Sequence, residues 1–520
     1  MSNIGNAELA IKGQAKRNSG MTQAVNWLPL SETQLDFWLL NRLSREQYLL
    51  DFFVEINQAM DVDMLEECVN QVLCKHNVFW LRQHRFLPFQ KPVARCPVTL
   101  QKWDLTAYAQ EEQQVRISQQ LEQVYDSDVI ANLPMVQVGF FRLAEQKYLL
   151  FLLVPHLCAD ATSMQIITSE MLYLYRYRSA GMEMNEIQMD EPYQFEQYLE
   201  EELLRKQQYD KYQQSVSYWT ALFAQADPLW LSAKWLIEEH DDITSFSGDL
   251  SYLDVNAIFA KLNEYGMTKY LGLVGLVSVA MHRLSGQSNF AVTALFNTRT
   301  ELPKKRMVGP AYRELYLLPE FSDDDKFTRT LASVKEQFDK GMRHKHCEEA
   351  LTLYLIEQKK WPRLVRKLLP LCEWGFKLLT KTMLRNARLN HKVLSYYLLY
   401  YLYPGCRNLV ASWFGKSSSR YPVELEVNYI DEQDTGTTSS SPLSHPHEYF
   451  ETKCADDRFS GFPFISVCFF GRGDQLTIKI DGNDLKRELK QSLFDTLKTV
   501  MEEFLHGRNV QPTRNQIKNG

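Results

Sequence analysis

Hydrophobic positions recur along this chain in two rhythms. From Leu28 to Leu43, the segment LPLSETQLDFWLLNRL sets Leu35, Trp38, Leu39 and Leu43 at the spacing of a helix face, with Ser31 placed to cap it. Val62–His76 repeats the pattern with Leu65, Val69, Val72 and Leu73, and the Gln- and Glu-rich stretch 113–124 predicts another helix. Two apolar runs follow, Met135–Leu143 and Tyr148–Val154, joined by Ala-Glu-Gln-Lys; they predict a hairpin of buried strands. Pro155 ends the second run, and HLCADATS leads into an apolar helix from about Ser163 to Tyr177.

The polar stretch Ser179–Pro192, which contains Gly and Pro, predicts a lobe boundary. Beyond it the pattern predicts a long helix over Tyr193–Phe223, a strand over Ser247–Asn256, an apolar helix over Gly266–Leu284 and a buried strand over Asn289–Phe296. Residues 343–415 read as a helical block. Val423–Tyr429 alternates as a strand, and 432–447 is a low-complexity loop. A hairpin pairs Phe464–Phe470 with Gln475–Asp481 through Gly-Arg-Gly-Asp. The last helix carries Leu485, Leu489, Leu493, Leu497, Met501 and Leu505 on one face. Strands and helices mixed in both halves imply α/β or α+β layers. The division expected is a polar tail over 1–25, a lobe over 26–185, a second lobe over 186–505 and a tail over 506–520.

Composition narrows the function. With 520 residues, 45% hydrophobic and 23% charged, the chain has material for a large core. Its net charge of −6 argues against a nucleic-acid partner, which requires many cations to neutralise phosphates. Nine cysteines without a CxxC pair indicate neither a disulfide framework nor a zinc site. The first 20 residues lack the apolar core of a secretory signal, and no run of 18 apolar residues occurs, so a cytoplasmic location is expected.

The stretch with most chemistry is Val154-Pro155-His156-Leu157-Cys158-Ala159-Asp160-Ala161. A histidine at the end of an apolar strand, four residues before an aspartate, stands where side chains project into clefts, and a neutral imidazole there can take a proton from an amine or hydroxyl. The competing reading is a packed loop histidine. Cys158 reads as a small buried thiol rather than a nucleophile, and His344-Lys345-His346-Cys347 as a solvated helix face rather than a metal site.

In order along residues 28–505, the chain resembles the condensation domains of nonribosomal peptide synthetases, within the superfamily of chloramphenicol acetyltransferase. Ser31-Glu32-Thr33-Gln34-Leu35-Asp36-Phe37-Trp38 is similar to the family's SxAQxRLW opening, with Thr33 for Ala and Asp36 for Arg. His76 matches the histidine of RHExLR, and His156 and Asp160 match the second histidine and the aspartate of HHxxxDG. Tyr218-Trp219 matches the YW after the long helix; Arg299 stands where a core arginine follows a buried strand; Val308-Gly309-Pro310 resembles the start of (I/V)GxFxNTLPLR. Pro155 replaces the first histidine, Ala161 the glycine, and Ala311–Tyr316 departs from NTLPLR.

The resemblance implies two chloramphenicol-acetyltransferase-like α/β lobes in a V around a central tunnel. It implies His156 as base or positioner, with Asp160 and Arg299 paired in support. The substrate implied is a phosphopantetheine thioester, with no bound cofactor or metal, and the acceptor an amine or hydroxyl. With no carrier, adenylation or thioesterase segment following, a stand-alone enzyme working with carrier protein in trans is expected. Two alternatives stand beside it: a coenzyme A-dependent acyltransferase, and a catalytically silent recruitment domain, which Pro155 and Ala161 favour. The block 359–392 holds ten Lys or Arg against one acid, Glu373, interleaved with apolar residues and followed by the Tyr- and Leu-rich run 396–403. It reads as peripheral contact of 359–403 with an anionic membrane, as a docking face for an acidic carrier, or as a helical cap with a solvated basic side.

Overall fold

The computed structural model describes residues 27–507, except 45–47, 86, 132, 207–208, 228, 236–244, 300, 323–326, 346, 348–366, 369, 376, 379–419, 432–463 and 483–484. The first half runs β1 (Leu28–Pro29), α1 (Glu32–Ser44), β2 (Leu49–Ile56), α2 (Val62–Lys75), β3 (Leu81–Gln83), β4 (Phe89–Pro92), β5 (Gln101–Asp104), α3 (Gln110–Tyr125), β6 (Gln137–Ala144), β7 (Lys147–Pro155) and α4 (Ala161–Ser179). Ser31 caps α1 as expected, in a reciprocal arrangement: its Oγ accepts from the Gln34 N–H at 3.0 Å, and Gln34 Oε1 accepts from the Ser31 N–H at 3.1 Å.

The four-stranded sheet has the order β2-β7-β6-β5. β7 is apolar from Leu149 onward because both of its faces are covered there. Leu150, Leu152 and Val154 share a core with Leu65, Val69, Ile167 and Met171 of α2 and α4. Leu149, Phe151 and Leu153 pack with Ile117, Leu121 and Val124 of α3. The hairpin of β6 and β7 is antiparallel, as its sequence predicted.

The second half runs α5 (Phe195–Lys206), α6 (Tyr209–Phe223), β8 (Leu229–Ser232), β9 (Phe246–Asp249), α7 (Val255–Glu264), α8 (Lys269–Ser285), β10 (Val292–Asn297), β11 (Tyr312–Leu317), α9 (Thr328–Arg343), β12 (Arg420–Asp431), β13 (Phe464–Arg472), β14 (Gln475–Asp481) and α10 (Arg487–His506). The larger sheet has the order β11-β10-β12-β13-β14-β9, with β8 also on β12. β10, β12 and β13 are parallel neighbours. α8 is buried continuously from Leu271 to Met281, which explains its unbroken apolar sequence. Thr268 caps its start, and Gly286, at φ +70°, closes it in the left-handed conformation.

Two expectations change. The strand predicted over Ser247–Asn256 stops at Asp249; Asp254 then accepts from the Ala257 N–H at 2.9 Å and caps α7. A short aspartate before Val-Asn-Ala is a helix start, and that local bond outcompetes the extended pattern. The helix predicted over Tyr193–Phe223 is two helices, α5 and α6. Phe195, Tyr198 and Leu199 of α5 join the core of the first half, whereas Val216 and Trp219 of α6 join that of the second. Most of the block 343–415, the loop 432–447, the first tail and residues 508–520 of the second lie outside the described residues. Among those described, no helix is long and apolar enough to cross a membrane.

Candidate functional site

β7 delivers the histidine. Pro155 pairs with Leu49 at the end of the ladder, and the His156 N–H then bonds the Tyr48 carbonyl at 2.8 Å. A turn follows, closed by the Cys158 N–H on the Pro155 carbonyl at 2.8 Å. Gln34 Nε2, from the start of α1, supports this turn at the Leu157 carbonyl (3.0 Å). Asp160 is extended and caps α4, accepting from the Ser163 N–H at 2.9 Å and Ser163 Oγ at 2.7 Å. The four-residue interval therefore carries the chain from strand end to helix cap. Ala161 is the first helical residue, where ordinary backbone accommodates a Cβ, so the change from glycine requires no distortion.

The sheet of the second half supplies the counter-charge. Arg299, just past β10, meets Asp160 through two bonds, Nη1 to Oδ2 at 2.7 Å and Nη2 to Oδ1 at 2.9 Å. Nε reaches the Met307 carbonyl (2.9 Å), and Nη2 also lies within reach of Ser163 Oγ (2.9 Å) and the Gly309 carbonyl (2.5 Å). The Ala311 N–H adds a bond to Asp160 Oδ2 at 2.9 Å. Both side chains are buried. Burial pushes the Asp160 carboxyl upward, but the charge and hydrogen bonds of Arg299 outweigh it and hold the group below the usual carboxylate range. With both oxygens occupied by donors, Asp160 has no proton to trade.

Gly309 is fixed by this clamp. It lies at φ +152°, and a Cβ there would stand 2.2 Å from the Phe195 ring. Gly309→Ala is expected to lower folding stability by about 2 kcal/mol or more, read from the urea-unfolding midpoint.

His156 as a residue is half-buried. The Phe37 ring stacks on it at a centroid distance of 4.3 Å and an interplanar angle of 8°, and Tyr312 meets it edge-on at 5.8 Å and 61°. Nδ1 is buried and makes no hydrogen bond. Burial lowers the pKa of His156, opposed by the charge of Asp160 and by the backbone carbonyls of His156 and Ala159. Cys158 faces the other way, with Sγ against Met135 Sδ at 3.7 Å, and burial pushes its thiol well up, so it packs as an inert thiol.

A second buried cluster carried no signal of its own in the sequence. Arg313 Nη2 donates to Glu202 Oε1 at 2.8 Å, with Glu32 Oε2 at 3.6 Å. Arg313 Nη1 donates to Thr33 Oγ1 at 3.1 Å, and that hydroxyl donates to the Tyr312 carbonyl at 3.2 Å. Thr33 and Arg313 both depart from the family pattern, and they are each other's partners.

The lesser candidates separate. His344 stacks on Tyr218 at 4.3 Å and its Nδ1 lies 3.2 Å from Ser215 Oγ, while His346 is outside the described residues. Among those described, no group of three or more His, Cys, Asp or Glu is arranged to hold a metal. A cavity of about 650 Å³ on α2 is lined by Asp63, Glu66, Glu67, Cys74 and Arg95 and includes none of His156, Asp160 or Arg299.

Among curated proteins, the chain is 24% identical over 295 residues to gramicidin S synthase 2 of Aneurinibacillus migulanus, which covers 55% of this chain and 6% of that protein. It is 22% identical over 324 residues to surfactin synthase subunit 2 of Bacillus subtilis, covering 61% and 9%. The matched segment thus spans less than a tenth of either relative. Among solved structures, the first condensation domain of the calcium-dependent antibiotic synthetase, in complex with a substrate analogue, superposes with a TM-score of 0.61 at 14% identity, over 93% of this chain and 97% of that one. The starter condensation domain of rhizomide synthetase, solved with C8-CoA, gives 0.60 at 13%, over 92% and 94%. The X-domain of teicoplanin biosynthesis, in complex with OxyB, gives 0.61 at 18%, over 94% of each. These likenesses establish an α/β fold of the condensation-domain type. The sequence model of the condensation domain matches residues 25–360, more than half of the length, and the chain belongs to the condensation-domain family.

Proposed function

We propose that this chain is an acyltransferase that moves an acyl group from a phosphopantetheine thioester, held by a carrier protein in trans, to an amine or hydroxyl acceptor. The lobes are assigned as 26–185 and 186–505, with α5 of the second packed into the core of the first. The observation that carries the reading is an imidazole of lowered basicity at a strand end, beside a buried Asp160–Arg299 clamp that joins the two halves. In the tautomer with the proton on Nδ1, the Nε2 lone pair is left for the acceptor. The acceptor attacks the thioester carbonyl. A C–N or C–O bond forms and the C–S bond breaks. The acceptor's proton passes to Nε2 and then to the departing thiolate. The N–H groups of Ala161 and Thr162, at the start of α4, are assigned to the oxyanion, since that of Ser163 is engaged by Asp160. Offering one acyl group as both its carrier and its coenzyme A thioester tests the donor. Transfer from coenzyme A alone would favour the alternative suggested by the rhizomide neighbour.

The second reading is a silent recruitment domain. Pro155 in place of a histidine and the X-domain neighbour bound to OxyB favour it. Turnover that is absent with both donors, together with tight binding of a partner enzyme, would select it.

We also assign peripheral contact with an anionic membrane to 359–403. Within it, Leu368, Leu371, Trp374 and Leu378 follow helical spacing and are 37–66% exposed, and Lys367 and Lys377 beside them are exposed. Cosedimentation with anionic vesicles is expected, and it should weaken as salt rises. No binding at low salt, or equal binding to zwitterionic vesicles, would remove this assignment.

A further inference from the structure

The His156 ring carries an unmet requirement. A buried imidazole is normally oriented by a hydrogen bond from its second nitrogen, which fixes both tautomer and ring plane. Here Nδ1 is buried without such a bond. The carbonyls of His156 and Ala159 lie close enough to favour a ring proton, but neither meets Nδ1 in bonding geometry. Nδ1 therefore has no well-formed hydrogen bond to fix the ring about its Cβ–Cγ bond.

Aromatic contact does so instead. Phe37 lies flat on one face of the imidazole, at 4.3 Å and 8°. Tyr48, whose carbonyl holds the His156 N–H, packs in turn against the Phe37 ring at 5.9 Å and 52°. Tyr312, from β11, closes the imidazole edge-on at 5.8 Å. The ring is thus gripped by aromatic groups from both halves of the molecule. The charged and titratable groups around it are Asp160, whose charge acts on it, Tyr48 and Tyr312. At this position the family's SxAQxRLW opening has leucine, which offers no flat surface to stack.

We propose that Phe37 is a positioning residue, whose stacked ring fixes the plane of His156 in place of the absent Nδ1 hydrogen bond and so aims Nε2 at the acceptor. The inference rests on the reading of His156 as the acyl-transfer base. A rotation of the ring would move Nε2 away from the acceptor's proton, and displacements of this kind lower the rate without loosening the substrate.

The test uses the full chain with Phe37→Leu, which keeps an apolar side chain, and Phe37→Tyr, which keeps the stack. Phe37→Leu is expected to lower kcat about tenfold with KM changed less than twofold. The His156 titration, followed by NMR of ¹⁵N-histidine-labelled protein and assigned with His156→Ala, should move up toward the ordinary histidine value as the stacked surface is lost. Phe37→Tyr should restore both. An unchanged kcat and titration in a folded Phe37→Leu variant would overturn the proposal, as would failure of Phe37→Tyr to restore them. If the unaltered chain transfers no acyl group, the acyl-transfer reading fails by itself. The NMR titration then still decides whether Phe37 holds the ring: a shift in Phe37→Leu sustains it and no shift refutes it.

Discussion

Replacing His156 with alanine is expected to reduce acyl transfer by about 10²–10⁴-fold, the range associated with loss of a positioned general base. The fold should survive, because the ring makes no hydrogen bond through Nδ1 and the turn is held by backbone bonds and Gln34. An unchanged circular dichroism spectrum alongside the lost rate would separate chemistry from unfolding. The pH profile supplies an independent check. A base works when neutral, and burial lowers the pKa of His156. The acid limb of kcat/KM should therefore fall below pH 6.5, the ordinary histidine value, and vanish in the alanine variant. Full turnover in His156→Ala, within a reconstituted pathway, would transfer the case to the recruitment reading.

The second large effect is expected at the Asp160–Arg299 clamp. Arg299→Ala removes one partner of a buried ion pair and leaves Asp160 without its counter-charge. Loss of about 3–5 kcal/mol is expected, measured by urea unfolding. Arg299→Lys should recover little, because an ammonium cannot reproduce the two parallel bonds to Asp160 together with those to Met307 and Gly309. The sign with pH follows from the carboxyl. Its folded pKa is held below its unfolded value, so the clamp contributes fully above the ordinary carboxylate range and is lost only as pH falls through the lowered folded value. Wild-type stability at pH 5–8 should not vary on this account. An Arg299→Ala variant as stable as the parent would show that the clamp does not hold the loop.

Much of the site was legible because its parts are local. A histidine ending an apolar strand and an aspartate at a helix start are set by neighbouring residues, and the structure has both where the motif put them. Ser31 as a cap was legible for the same reason. The strand expected over Ser247–Asn256 ends early because Asp254, within its alternating pattern, caps a helix through the N–H three residues ahead. The partners of the imidazole were not legible: Phe37 is one of many aromatic residues in the chain, and Tyr312 lies 156 residues beyond the ring it touches. The ion-pair cluster of Glu32, Glu202 and Arg313 likewise joins three segments that share no pattern.

Short-range chemistry thus specified most of the helices and strands and the His156–Asp160 loop, since capping, periodicity and strand termination act over a few residues; the family was legible as a resemblance of ordered motifs. Only the folded chain decided what surrounds the imidazole. Stacking, burial of Nδ1 and the meeting of Arg313 with Thr33 depend on bringing distant segments within a few ångströms, and the packing of whole elements sets those distances.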